Sequence, residues 1–292
     1  MPDQVNVVLL GMGVVGAGVA RALSEKADTY SQRIGASLLL RRVLERRTER
    51  AQAAGVDPAL LTADAQEVLS GDVDIVVELL GGEHPAYELI KDSLSSGRYV
   101  VTANKEVMAK HGPELLGLAA ENGVDILYEA SVGAGIPIIS PVKRDLSANH
   151  ITSIRAIING TTNYILTRMS KDGLDFDAGL AQAQELGYAE ADPTNDVDGY
   201  DATYKLAILA SLAFHTRIRP EDVHREGIRH LAARDFRYAR ELGYVIKLLA
   251  VARLEGASVQ ARVHPTLVAE DELLAKVDGA LNAIEIEGDL SG

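Results

Sequence analysis

Five acids, Glu190, Asp192, Asp196, Asp198 and Asp201, fall within twelve residues that hold no base, and a single cation, Lys205, follows them. Carboxylates clustered beside one ammonium suit two tasks, gripping a cationic group and moving a proton. From Asp201 the chain reads DATYKLAILASLAF, in which Ala202, Leu206, Leu209 and Ala213 recur at helical spacing. Asp201 then stands in the first turn of a helix, where a carboxylate suits the dipole, and Lys205 stands one turn later on the same face. On an exposed helix such a pair contributes only roughly 0.3 kcal/mol. Behind a loop too acidic to fold by itself, the same residues can hold the ammonium of an amino-acid substrate and exchange a proton at its other end. A structural ion network at a domain seam is the alternative use of the same charges.

A second chemical signature opens the chain. Residues 5–10, VNVVLL, form an apolar run that ends in Gly11-Met12-Gly13-Val14-Val15-Gly16 and continues at helical spacing through 19–23. This is G-x-G-x-x-G between a strand and a helix, the setting in which it reads as dinucleotide binding. Gly11 permits the tight turn, Gly13 leaves room for a pyrophosphate, Gly16 lets helix and strand approach, and the N–H groups around Val14 and Val15 face the phosphates. The ribose reader is expected near the end of a second strand within 37–45. There Glu45 would accept from a 2'-hydroxyl and favour NAD, whereas Arg46 and Arg47 would neutralise the 2'-phosphate of NADP. The balance of charge leans to NADP.

The elements that position these groups follow in alternation: strands at 74–80, 99–103 and 124–130, with helices near 86–96 and 106–122. Strands that are apolar throughout and separated by helices indicate a parallel sheet covered on both faces. Its ligand-facing loops carry Gly81-Gly82 and Thr102-Ala103-Asn104-Lys105. After EASVGAGIP at 129–137, which reads as a domain-crossing hinge or as an oxygen cage for a hard cation, the pattern changes. A helix is expected at 138–146, a strand at 151–160, helices near 162–171 and 177–186, and two strands at 244–255 and 258–268 around a turn at Gly256. The fold class is therefore α/β: a doubly wound parallel sheet over residues 1–135 and an α+β domain over 136–292.

Composition removes other chemistries. The 292 residues include no cysteine, which excludes disulfides, thiolate zinc sites and thioester catalysis of the phosphorylating semialdehyde dehydrogenase kind. The seven histidines show no metal-ligand spacing such as H-E-x-x-H. A formal charge of -13 disfavours nucleic acid and anionic membrane as partners. The absence of a spanning apolar run or a basic leader points to the cytoplasm.

The segment 187–206, GYAEADPTNDVDGYDATYKL, together with NGTTNYIL at 159–166, resembles the substrate signature of the homoserine dehydrogenases, and the resemblance runs from Gly11 to the NAIEIEGDLSG end. It implies interconversion of L-homoserine and L-aspartate 4-semialdehyde with NADP or NAD, in threonine and methionine biosynthesis. It further implies that Glu190 holds the substrate ammonium and that Asp201 and Asp196 help bind the substrate. Lys205 becomes the acid/base, assisted by Asp201, and Lys105 a cofactor and catalytic contact beside Gly11, Gly13, Val14, Val15, Gly16 and Arg46. A structural monovalent cation, sodium, is implied at Glu129, Val132, Ala134 and Ile136, and a homodimer through the substrate domain. Family members continue beyond the position of Gly292 with a glycine-rich segment and, in many, a regulatory domain that answers to threonine. Two alternatives stay open: a dehydrogenase of another small amino or hydroxy acid, and a nucleotide-binding protein without turnover.

Overall fold

The computed structural model describes residues 4–290, apart from the side chains of Thr48 and Arg50. Ser291 and Gly292, the end of the segment that carries the resemblance, lie outside the described residues. Contacts divide the chain into two compact units, Met1–Ser131 and Val132–Gly292.

The first unit is a Rossmann-type sheet. Strands β1 (Gln4–Leu10), β2 (Ser37–Leu44), β3 (Leu61–Thr62), β4 (Ile75–Glu78), β5 (Tyr99–Thr102) and β6 (Ile126–Leu127) pair in parallel in the order β3-β2-β1-β4-β5-β6. Burial on both faces selects apolar residues along each strand, and Val7, Leu9, Val43 and Val77 share one core with Ala20 of the helix Val14–Glu25. The order reverses between β1 and β4, so the ligand crevice of such a sheet opens at the C-terminal ends of these two strands.

The strand expected over 124–130 is shorter. Only Ile126 and Leu127 pair, with Val100 and Val101, and Glu129–Ser131 coils into a single tight turn closed by Ser131 N–H on the Tyr128 carbonyl at 3.0 Å. The reason is the neighbour: β5 ends at Thr102, so the chain after Leu127 has little strand left to pair with.

The second unit is α+β. Strands β7 (Ile151–Ile157), β8 (His224–Arg225), β9 (Tyr244–Glu255), β10 (Ser258–Ala269) and β11 (Ala283–Gly288) form a sheet in the order β11-β7-β9-β10-β8, antiparallel except between β10 and β8. The expected hairpin is β9–β10, paired along its whole length and turned at Gly256, whose φ of +61° suits glycine. The helix Gly160–Asp172 packs on β9, and the helix Tyr200–Ala213 packs on β9 and β10. At 138–146 the expected regular helix is widened, with Leu146 N–H reaching the Pro141 carbonyl five residues back at 2.8 Å. Pro141 has no N–H with which to continue a standard ladder. β8 and β11 form in stretches to which the sequence reading assigns no element. Among the described residues no helix is long and apolar enough to cross a membrane.

On the first unit an ion network joins the helix Ala86–Ser95 to the helix Lys105–Glu121. The Glu83 carboxylate accepts from Lys110 Nζ at 2.6 Å and lies 2.7 Å from His111 Nε2, while Tyr87 stacks on His111. Lys110, then His111, hold the Glu83 carboxyl well below its usual 4.5, at about 2. A depressed carboxyl contributes stability above its unfolded pKa and loses it as the pH falls through the folded one. Glu83→Gln should therefore lower the thermal midpoint near neutral pH, by an amount that shrinks below pH 4.5 and closes near pH 2. Thermal melts of both proteins across this range check the sign; a pH-independent gap would contradict it.

Candidate active site

The glycine loop has the geometry its spacing implies. Gly11 sits at φ +102°, with Leu79 O only 2.8 Å from where a Cβ would stand, and a Cβ on Gly16 would meet Gly11 O at 2.1 Å. Around Gly13 there is open space, as a phosphate-facing position needs. Gly13 caps the helix Val14–Glu25, at whose start Val14 is 94% exposed and Val15 is 56% exposed. The first N–H groups of this helix have no carbonyl of their own helix to bond and are suited to an anion. At the end of β2, the Glu45 carboxylate accepts from Met12 N–H at 3.1 Å and Arg47 N–H at 2.9 Å, so it clamps the glycine loop. Arg46 and Arg47 are exposed beside it.

Two further loops, after β4 and β5, are tied by a carboxylate that the sequence reading did not single out. Glu78 is fully buried and accepts from Leu80 N–H at 2.8 Å and from Thr102 Oγ1 at 2.6 Å. Thr102 Oγ1 in turn accepts from Asn104 N–H at 2.9 Å. Asn104 caps the helix Lys105–Glu121 by accepting from Val107 N–H at 3.1 Å, and its Nδ2 donates to Gly82 O at 2.7 Å. The Gly81-Gly82 loop and half-buried Lys105, the first residue of that helix, are thus held by one hydrogen-bonded set.

In the second unit Asp201 and Lys205 form a close pair, Nζ to Oδ2 at 2.7 Å, with side chains 4% and 15% exposed. Asp201 is the second residue of the helix Tyr200–Ala213, entered through Gly199 at φ +81°. Lys205 Nζ also donates to Ile158 O at 2.9 Å. Asn159 Nδ2 donates to both Asp201 Oδ2, at 2.9 Å, and Asp196 Oδ1, at 2.7 Å. Asn159 is thus a site residue that sequence reasoning left without a role. Its signal was its place, an Asn-Gly at a strand-to-helix junction, where its Oδ1 caps the helix Gly160–Asp172 through Thr162 N–H at 2.8 Å. These side chains line a cavity of about 430 Å³, with Thr161, Tyr188 and Ala280 on its wall.

The acidic loop divides by role. Asp196 lines the cavity. Asp198 is turned to the protein itself: its carboxylate accepts from Arg229 Nε at 2.6 Å, its carbonyl from Arg225 at 2.7 Å, and the Arg225 guanidinium stacks over Tyr200. Asp192 accepts from Thr194 N–H at 3.1 Å, and the Thr194 hydroxyl and amide hold its carboxyl below the usual range. Glu190 is exposed and does not belong to the cavity lining.

At the positions expected to hold a cation, Glu129 lies in the Glu129–Ser131 turn and Val132 is buried. Ala134 takes a φ of +51°, and Ile136 N–H returns to Gly133 O at 2.9 Å. Among the described residues no group of three or more His, Cys, Asp or Glu side chains is placed to hold a metal.

Two family models match the chain, "Homoserine dehydrogenase, NAD binding domain" over residues 11–129 and "Homoserine dehydrogenase" over 137–292. A homoserine dehydrogenase of Synechocystis sp. is 46% identical over 293 residues, covering 99% of this chain and 67% of the relative. The crystal structure of a homoserine dehydrogenase from Thiobacillus denitrificans superposes with a TM-score of 0.94 at 44% identity, covering 99% of this chain and 67% of that one. A hyperthermophilic archaeal homoserine dehydrogenase in complex with NADPH superposes with a TM-score of 0.82 at 30% identity, covering 99% and 89%. The chain spans about two thirds of the length of the curated relatives it matches. Both units and the signature that joins Asp201 to Lys205 thus place this chain in the homoserine dehydrogenase family.

Proposed function

We propose that this protein interconverts L-homoserine and L-aspartate 4-semialdehyde with a nicotinamide cofactor, as a cytoplasmic enzyme of threonine and methionine biosynthesis. The observation that carries the reading is the buried Asp201–Lys205 pair on the wall of a cavity of about 430 Å³. A nicotinamide cofactor held at the glycine loop would supply the hydride acceptor or donor. In the oxidising direction the carbinol carbon loses that hydride and its oxygen loses a proton, so a base must stand at the oxygen. Neutral Lys205 takes this proton, and in the reducing direction the Lys205 ammonium gives it back. Asp201 orients the amine, and the Ile158 carbonyl takes a second N–H, leaving one of the three for the substrate oxygen.

Asp196, on the same wall, is proposed to hold the substrate ammonium, and Glu190, exposed and outside the cavity lining, is proposed for that role from the resemblance alone. Lys105 is proposed as a contact to the cofactor and to the reaction, with Gly11, Gly13, Val14, Val15 and Gly16 receiving the pyrophosphate. NADP is the favoured cofactor. Glu45 spends its carboxylate on Met12 and Arg47 N–H groups, while the exposed Arg46 suits a 2'-phosphate. A relative's NADPH complex agrees with this reading. A sodium ion at Glu129, Val132, Ala134 and Ile136 would brace the backbone there without entering hydride transfer, and a second copy of the chain is the proposed partner of the α+β unit.

Purified protein given L-homoserine with NADP or NAD should raise the absorbance of the reduced nicotinamide. Lys205→Ala should lower kcat by about 10²–10⁴-fold, the range of general acid–base contributions, while the cofactor still binds. A folded protein that binds cofactor but reduces none of it with homoserine would leave a nucleotide-binding protein without turnover. Faster reduction with a close analogue would name another small amino or hydroxy acid. Arg46→Ala should raise KM for NADP several-fold, about 1 kcal/mol for an exposed charge contact, and leave KM for NAD within twofold. Equal effects on both cofactors would remove Arg46 as the phosphate reader.

A further inference from the structure

A second lysine is buried in the α+β unit, away from the acidic loop. Lys247 is the fourth residue of β9, with its side chain 4% exposed, and burial pushes its pKa down against the opposing pull of Asp278. An ammonium in such a place is costly unless its protons are all accepted. Its Nζ donates to Val277 O at 2.6 Å and reaches Asp278 Oδ1 at 3.3 Å and Asn163 Oδ1 at 3.4 Å. All of its strongest contacts therefore go to one turn, residues 277–281, and to the helix beneath it.

That helix, Gly160–Asp172, holds the same turn along one face. Asn163 Nδ2 donates to Val277 O and Leu281 O, each at 3.0 Å, and Thr167 Oγ1 accepts from Gly279 N–H at 3.0 Å. Lys171 Nζ pairs with Asp278 Oδ2 at 2.7 Å. Positions 163, 167 and 171 recur every four residues, one face of a helix. The fit is close at the end of the turn, where a Cβ on Gly160 would stand 2.7 Å from Ala280 O. Ala280 belongs to the wall of the Asp201–Lys205 cavity, whereas Asp278 belongs to a separate cavity of about 280 Å³.

We infer that Lys247 is a positioning residue, which sets the substrate-cavity wall at Ala280 by fixing the 277–281 turn onto the helix Gly160–Asp172. The inference rests on the reading of that cavity as the substrate site. Lys247 touches no reacting atom; it acts through the turn.

The test compares wild type with Lys247→Met, which keeps an unbranched side chain one atom shorter and removes every donor, and with the milder Thr167→Val, which removes the acceptor of Gly279 N–H. Steady-state kinetics should show KM for L-homoserine raised about tenfold in both, with KM for the nicotinamide cofactor unchanged within twofold, because wall displacement acts on the substrate alone. Amide hydrogen exchange should quicken at 279–281 and stay unchanged in the helix Tyr200–Ala213. Parallel losses in both KM values, or unchanged exchange at 279–281, would overturn the inference. If the wild type neither turns over nor binds homoserine, the functional reading falls separately. Exchange at 279–281 in Thr167→Val and Lys247→Met then decides whether the turn depends on Lys247.

Discussion

A carboxylate and an ammonium taken out of water together are the constraint on which the α+β unit depends. Asp201 and Lys205 attract at 2.7 Å, but desolvating the two ions costs several kcal/mol or more, and attraction alone does not reliably offset it. The remaining lone pairs and protons must be met by neutral groups. Ile158 O and Asn159 Nδ2 meet them, and both lie where β7 gives way to the helix Gly160–Asp172. The pair therefore dictates that this junction meet the first turn of the helix Tyr200–Ala213. Asn159 links that requirement to the loop, because the same amide nitrogen also reaches Asp196.

The acidic loop in front of the pair repels itself and needs cations from outside its own sequence. The segment around β8 supplies them: Arg229 pairs with the Asp198 carboxylate and Arg225 donates to its carbonyl, while Ile228 N–H ties the same segment to Val197 O at 2.8 Å. Gly227 permits this approach, since a Cβ there would stand 2.5 Å from Val197 O. A two-residue strand thus has a use beyond the sheet. It fixes Asp198 so that Asp196 can stand on the cavity wall.

What was legible in the sequence is what is encoded locally. G-x-G-x-x-G declares Gly11 and Gly16 because each close approach involves backbone a few residues or one strand away, and the helix carrying Asp201 and Lys205 declares itself through Ala202, Leu206, Leu209 and Ala213, all buried. The parallel sense of the first sheet, though not its strand order, followed from strands alternating with helices. What was not legible is carried by partners far apart in the chain: Glu78 with Thr102, Asn159 with Asp201, Arg229 with Asp198, Lys247 with Val277. A lone Glu at a strand end or a Lys inside an apolar strand has no periodic mark of its function. The over-long strand at 124–130 failed for a related reason, since apolar residues propose a strand but only a neighbour of sufficient length completes it.

The two buried lysines of the α+β unit differ in how many protons they have committed, and that difference separates their proposed roles. An ammonium carries three N–H groups. Lys247 has three acceptors within 3.4 Å, so every proton is held and a change of charge would break the turn it supports. Lys205 has two acceptors, Asp201 Oδ2 and Ile158 O, which fix its direction and leave one N–H for chemistry. Lys205 is also the shallower of the two, 15% exposed against 4%, and lines the cavity. The number of acceptors, with no difference in residue type, thus separates a lysine whose three N–H groups all face one turn and its helix from one that keeps an N–H toward the cavity.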